Sequence, residues 1–196
     1  MKPPQPPKLP KHPVVLLLPG LHNSGPQHWQ TLWQPQIANC ERVEQRDFDH
    51  AVCSEWVETI EAAAQRHHGN VFLVGHSCGS IVIPHWAAHY PRRIAGAMIV
   101  APSDVEMEGF PPEAEGFAPI PLAPLPFPAT VVASSNDFYC RIRRAKFLAN
   151  AWGAKLVEIG PHGHINADAG FGPWPGGLEM LQKLLQTASI EPKIGR

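Results

Sequence analysis

Five short runs constrain this chain most: Val14–Leu18, Val71–Val74, Ala97–Ala101, Thr130–Ala133 and Lys155–Ile159. Each has four or five residues, is rich in β-branched side chains and lacks polar alternation. That pattern suits strands buried on both faces of a parallel sheet. A weaker strand is expected around Arg42–Arg46. Between the runs lie helix-length stretches. Gln27–Ala38 places Trp29, Trp33 and Ile37 on one apolar face, and Ser54–His67 does the same with Trp56, Val57, Ile60 and Ala64. Gly69 follows the second as a C-cap. Cys78–His89, Arg141–Trp152 and Leu178–Ala188 complete the set. Strands alternating with helices predict an α/β fold with a mostly parallel central sheet flanked by helices.

Proline divides the chain. Of 23 prolines, six lie in residues 1–13 and seven in residues 111–128. Residues 1–13 read as a proline-rich tail, since proline at that density supplies neither helix nor ladder donors. Residues 14–196 read as one domain, long enough to bury about 70% of the surface of the unfolded chain. The stretch Pro102–Ala129 has 28 residues, eight of them proline, and no helical period. It is long for a structureless connection, and such loops tend to be functional.

A net charge of −1 gives no general reason to seek nucleic acid or an anionic membrane as partner. Val14–Leu18 is too short for a signal-peptide core, and no apolar run reaches the length of a membrane span. The expected location is cytoplasmic. Cys40, Cys53, Cys78 and Cys140 form no C-x-x-C pair, so free thiols are expected and no metal site.

The sharpest chemical signal is Val71-Phe72-Leu73-Val74-Gly75-His76-Ser77-Cys78-Gly79-Ser80. A buried strand runs into G-x-S-x-G and then a helical stretch. A serine turned sharply between strand and helix has a strained backbone, and side chains two residues either way would collide with it. Glycine at 75 and 79 removes those collisions and leaves the Ser77 hydroxyl exposed above the sheet. A serine nucleophile needs a base, and the base an orienting acid. Ser134-Ser135-Asn136-Asp137 follows the fourth run, and Gly160-Pro161-His162-Gly163-His164 follows the fifth. The order Ser77, Asp137, His164 fits an α/β sheet whose ligand site lies beyond the carboxyl ends of its strands. Asp104 competes for the acid and His162 for the base; position after a strand does not separate the two histidines. Backbone amides of Cys78 and Leu21 are the candidate oxyanion donors. Pro84 should bend the helix that contains it.

These pieces together resemble the small single-domain α/β-hydrolases grouped with the retinoblastoma-binding serine hydrolases. The matching segments are Pro19-Gly20 with Ser24 and His28-Trp29, Gly75-His76-Ser77-Cys78-Gly79-Ser80, Ser134-Ser135-Asn136-Asp137, Trp152-Gly153-Ala154, Gly163-His164-Ile165-Asn166 and Phe171-Gly172-Pro173-Trp174-Pro175. The resemblance assigns the base to His164 and the acid to Asp137. It implies an α/β-hydrolase without a helical cap domain, with esterase or aminopeptidase-like activity and no cofactor. The L-x-C-x-E signature of retinoblastoma binding is absent: Ala51-Val52-Cys53-Ser54-Glu55 has alanine at the leucine position. That partner is not carried over, and any protein partner is unknown.

The expected reaction is acyl transfer from a small ester or amide to Ser77, then to water. Specificity is expected from the loops Leu21–Gln27, Pro102–Ala129 and Phe171–Gly177, with His22 and Trp174 as candidate substrate contacts. The proline-rich second loop should stand in place of a cap and leave the site open. The alternative is a non-catalytic adaptor that presents the tail as a polyproline ligand.

Overall fold

The computed structural model describes residues 12–188. Residues 1–11 of the expected tail, and the adaptor role argued from it, lie outside the described residues, as do residues 189–196.

Six strands form one parallel sheet: β1 (Val14–Leu18), β2 (Cys40–Arg42), β4 (Val71–His76), β5 (Gly96–Val100), β7 (Ala129–Ala133) and β8 (Lys155–Glu158). Their order is β2-β1-β4-β5-β7-β8. The chain first moves outward from β1 to β2, then crosses back and builds in the other direction from β4. Loops leaving β1 and β4 therefore diverge, and a crevice opens between them at the carboxyl end of the sheet.

Alternate residues of each inner strand face opposite layers. Leu16, Leu18, Leu73, Ile99 and Val131 pack on one side with α2 (Cys53–Arg66), α3 (Cys78–His89) and α4 (Ile142–Ala151). Val15, Leu17, Phe72, Val74, Met98 and Val132 pack on the other with α1 (Trp29–Trp33) and α5 (Pro175–Ala188). This two-sided burial explains why the inner strands lack polar alternation.

Several expectations need correction. The last strand is not buried on both faces: β8 is an edge strand whose Lys155 and Glu158 are exposed. The weak second strand is earlier than expected and also forms an edge. Short edges with charged side chains resist pairing with another chain. The first helix ends at Trp33, and residues Gln34–Gln36 tighten into a 3-10 turn. Pro35 has no N–H to give the carbonyl four residues back, so the α-helix cannot continue. Helix α3 extends on both sides of Pro84, which is buried within it and gives the Ser80 carbonyl no intrahelical donor.

The long proline-rich segment is not structureless. β6 (Ala114–Glu115) pairs in parallel with β3 (Ala51–Val52). Phe117 is buried beneath Trp56, and its carbonyl accepts from His85 Nε2 at 2.9 Å. The Trp152 indole donates to the Pro121 carbonyl at 2.8 Å, and Glu106 accepts from the Ile120 amide at 2.9 Å. These contacts hold the segment down along the α2–α3–α4 layer. Ser103, Phe110 and Pro111 are its members that reach the crevice.

Candidate active site

A cleft of about 420 Å³ opens at the β1/β4 crevice. Ser77, His164, Leu21 and His22 line it together with Ser103 and Tyr139. Ser77 stands between β4 and α3 with φ 57° and ψ −128°, a left-handed backbone that a non-glycine residue enters only with strain.

The glycines around Ser77 are required, though for a different steric reason than expected. A Cβ on Gly75 would lie 2.4 Å from the Gly79 carbonyl and 2.5 Å from Ser80 Cα, inside the first turn of α3. A Cβ on Gly79 would lie 2.2 and 2.3 Å from the Leu18 and Pro19 carbonyls, where β1 ends. These two glycines let strand, helix and neighbouring strand close together. The glycine that protects the serine itself is Gly20, whose Cβ would come within 2.7 Å of Ser77 Cβ.

The loop after β7 builds the acid and binds the loop after β8. Ser134 Oγ accepts from the His162 amide at 2.9 Å, and Asn136 Oδ1 accepts from the Gly163 amide at 2.7 Å. The loops are thereby laced together, and Asp137 is brought to His164. His164 Nδ1 lies 3.0 and 2.9 Å from the two carboxylate oxygens of Asp137, which is only 6% exposed. Asp137 Oδ1 also accepts from the Tyr139 amide at 2.9 Å.

The rivals are engaged elsewhere. The Asp104 carboxylate accepts from Arg144 Nε at 3.1 Å. The exposed His162 packs its ring against Phe171, 5.4 Å between centroids. Of the two histidines in this loop, Asp137 contacts His164.

His164 is held from below as well. Its carbonyl accepts from His76 Nε2 at 2.9 Å, and the Ile165 carbonyl accepts from the Trp29 indole at 2.9 Å. Ile165 has φ 50°, strained for a β-branched residue. The buried indole bond and full burial of its side chain hold it there.

Gln30 is a site element that the sequence did not disclose. It is 0% exposed, and its Nε2 donates to the carbonyls of Leu18 (3.1 Å) and Val74 (3.2 Å). It ties β1 to β4 where they diverge, one step before the loops that carry Leu21 and Ser77. Ser24 Oγ donates to Gln30 Oε1 at 2.5 Å, so the β1 loop hangs on the same side chain. A glutamine between Trp29 and Trp33 in a short, largely apolar helix was the available signal.

Three imidazoles stand in a row: His28–His76 at 4.7 Å and His76–His164 at 4.9 Å between centroids. Burial pushes the His28 pKa down to about 4, with the Arg42 charge adding to the effect. Burial likewise drives His76 well below the usual histidine range. Both are neutral near neutral pH. His28 Nδ1 accepts from the Gln30 amide at the start of α1, while its buried Nε2 has no partner among the described residues.

The candidate oxyanion donors are the amides of Cys78 and Leu21. Cys78 opens α3, so its amide has no intrahelical acceptor. Leu21, Ser103 and Ser77 lie about the buried Cys78 thiol. Burial pushes that thiol up to about 12, so it carries no charge near a developing anion. His22 lines the cleft and pairs with Asp49 at 3.0 Å. Trp174 does not line it, contrary to expectation. Its ring stacks on Trp33 at 5.4 Å and meets Trp29 edge-on at 5.2 Å, drawn into the apolar layer with α5. Among the described residues no group of three or more His, Cys, Asp or Glu side chains is placed to hold a metal ion. No described helix is long and apolar enough to cross a membrane.

A parallel sheet with strands in this order, helices on both faces and a serine at a strand–helix elbow defines an α/β-hydrolase. The sequence matches the serine hydrolase family over residues 15–183, and the chain belongs to that family. A YdeN-like protein of Pectobacterium atrosepticum is similar at 34% identity and TM-score 0.79, over 89% of this chain and 91% of that one. The ydeN gene product of B. subtilis shares the fold at 18% identity and TM-score 0.73, over 89% and 99% of the two chains. A thermophilic esterase of Thermogutta terrifontis shares it at 15% identity and TM-score 0.68, over 90% of each. No protein of curated function matches the sequence.

Proposed function

We propose that this serine hydrolase cleaves small carboxylic esters through an acyl-enzyme formed on Ser77, with His164 as base and Asp137 as its orienting acid. The observation that carries the reading is the two-oxygen contact of buried Asp137 with His164 Nδ1, in the cleft that Ser77 lines. The contact leaves Nε2 as the proton-accepting nitrogen. Ser77 attacks the acyl carbon, its proton passes to His164, and the leaving alcohol takes that proton. The Cys78 and Leu21 amides receive the oxyanion. Water then repeats the sequence on the acyl-enzyme.

In the resting arrangement Ser77 Oγ is bonded to Ser103 rather than to His164. Catalytic hydrogen bonds commonly tighten only when substrate binds.

The apolar part of the cleft wall, Leu21, Phe110 and Pro111, suits a short acyl group. The resemblance to the retinoblastoma-binding serine hydrolases, and amide as a second substrate class, belong to the same proposal. Four unpaired thiols suit a reducing compartment such as the cytoplasm. Fluorophosphonate labelling of the intact protein tests the nucleophile. An adduct on Ser77, absent from Ser77→Ala, is expected; equal labelling of the variant would refute the assignment.

A further inference from the structure

Ser77 Oγ lies 3.0 Å from Ser103 Oγ. Ser103 is 0% exposed, yet it forms part of the cleft wall. It stands three residues past the end of β5, on the side of β4 opposite β1. The Leu21 donor comes from the β1 side, so the two approach Ser77 from opposite flanks of β4.

The backbone delivering Ser103 is built with some strain. Ala101 has φ 45°, a conformation disfavoured for any residue with a Cβ. It is held by its amide bond to the Val132 carbonyl at 2.9 Å. Beyond Ser103, the Asp104 amide donates to the Tyr139 carbonyl at 2.8 Å, and the Asp104 carboxylate binds Arg144. A serine fixed on both sides, with its hydroxyl on the candidate nucleophile, is more than a solvated loop residue.

We propose that Ser103 is a further catalytic hydroxyl that donates a hydrogen bond to Ser77 Oγ and stabilises it as the leaving group when the acyl-enzyme breaks down. The inference rests on the Ser77–His164–Asp137 reading above. The direction of the bond follows from proton accounting: Ser77 must give its own proton to His164, so Ser103 is the donor. In deacylation, water adds to the acyl carbon and passes a proton to His164. The bond from carbon to Ser77 Oγ then breaks, its electron pair stays on Oγ, and His164 returns the proton there. Negative charge gathers on Oγ as that bond breaks, and the Ser103 hydroxyl meets it while keeping its own proton. During acylation the same bond occupies a lone pair of the nucleophile, so its benefit there is smaller.

Stopped-flow hydrolysis of p-nitrophenyl acetate separates the two half-reactions, with rates normalised to sites titrated by fluorophosphonate. Ser103→Ala is expected to acylate within about threefold of the parent, while acyl-enzyme decay slows about tenfold, less than loss of a full oxyanion donor. The thermal midpoint should move little. Ser103→Thr, which keeps a hydroxyl, should restore most of the decay rate per titrated site. Unchanged decay in Ser103→Ala would overturn the proposal. So would equal losses in both half-reactions, or a loss that disappears on normalisation, since these mark a structural role. Absence of a burst and of labelling in the parent protein would remove the Ser77 reading itself, and the Ser103 role with it.

Discussion

The two flanks of the cleft are built in opposite ways. On the β7/β8 flank, Asp137 is buried, and Ser134 and Asn136 lace the two loops together through backbone amides. On the β1 flank, His22 and Asp49 form a pair with side chains 72% and 75% exposed. That loop is held from beneath, by Gln30 and by Arg42, whose Nη1 donates to Asn23 Oδ1 at 2.8 Å and the Ser24 carbonyl at 3.0 Å. Orienting a base demands a dry, rigid carboxylate, because a screened one would hold the imidazole weakly. Meeting a substrate demands accessible side chains on a firmly anchored backbone. On the proposed function, the difference separates chemistry from recognition by flank.

The strongest way to break this comparison is to remove the rigid flank. Asp137→Asn should lower kcat with a p-nitrophenyl ester by about 10⁴-fold with little change in KM, as expected for a wrongly oriented base. A loss under tenfold would show that Asp137 is not the orienting acid.

Next in size is the anchor shared by both strands. Gln30→Ala removes the side-chain bonds to the Leu18 and Val74 carbonyls, takes away the acceptor of the buried Ser24 hydroxyl and opens a buried space, at a cost of about 2–4 kcal/mol. Urea unfolding of the intact chain should show it as a lower midpoint at constant slope. A variant as stable as the parent would mean that Arg42, the Thr31 hydroxyl and the His22 amide hold the β1 loop without Gln30.

Acid should act on the layer beneath both flanks. His28 is neutral in the fold and protonated in the unfolded chain between about pH 6.5 and 4. The unfolded state binds more protons in that window, so stability falls as pH drops through it, by up to about 3 kcal/mol. His76 extends the loss to lower pH. His28→Asn, which keeps a short acceptor for the Gln30 amide, should flatten the fall in thermal midpoint between pH 6.5 and 4. An unchanged slope would assign the acid sensitivity to other groups.

The smallest effect on stability belongs to the exposed flank. His22→Ala should change it by less than about 0.5 kcal/mol, since an exposed pair contributes little. Its effect, if the flank recognises substrate, is a rise in KM with kcat kept; an unchanged KM across a panel of esters would remove His22 from recognition.

Much of this molecule is legible in local sequence. The inner strands announce themselves because both faces are buried, which erases polar alternation. The elbow is legible because Gly75 and Gly79 are forced by sub-3 Å approaches. Edge strands are less so: β2 and β8 keep polar side chains, and their limits depend on the neighbour each pairs with. Trp174 shows the same limit. Its sequence neighbours, two prolines in a loop after His164, suggested the site, but apolar area is satisfied wherever the nearest aromatic layer lies, and Trp29 and Trp33 lie closer.

The apolar runs, the elbow glycines and the order of serine, aspartate and histidine were determined by sequence alone, because backbone sterics and burial act on consecutive residues. The contact of Asp137 with His164 rather than His162, the clamp by Gln30 and the approach of Ser103 to Ser77 were decided only by the tertiary structure. Each depends on the direction of a side chain across strands far apart in sequence. Spacing along a chain does not carry that information; packing of the sheet does.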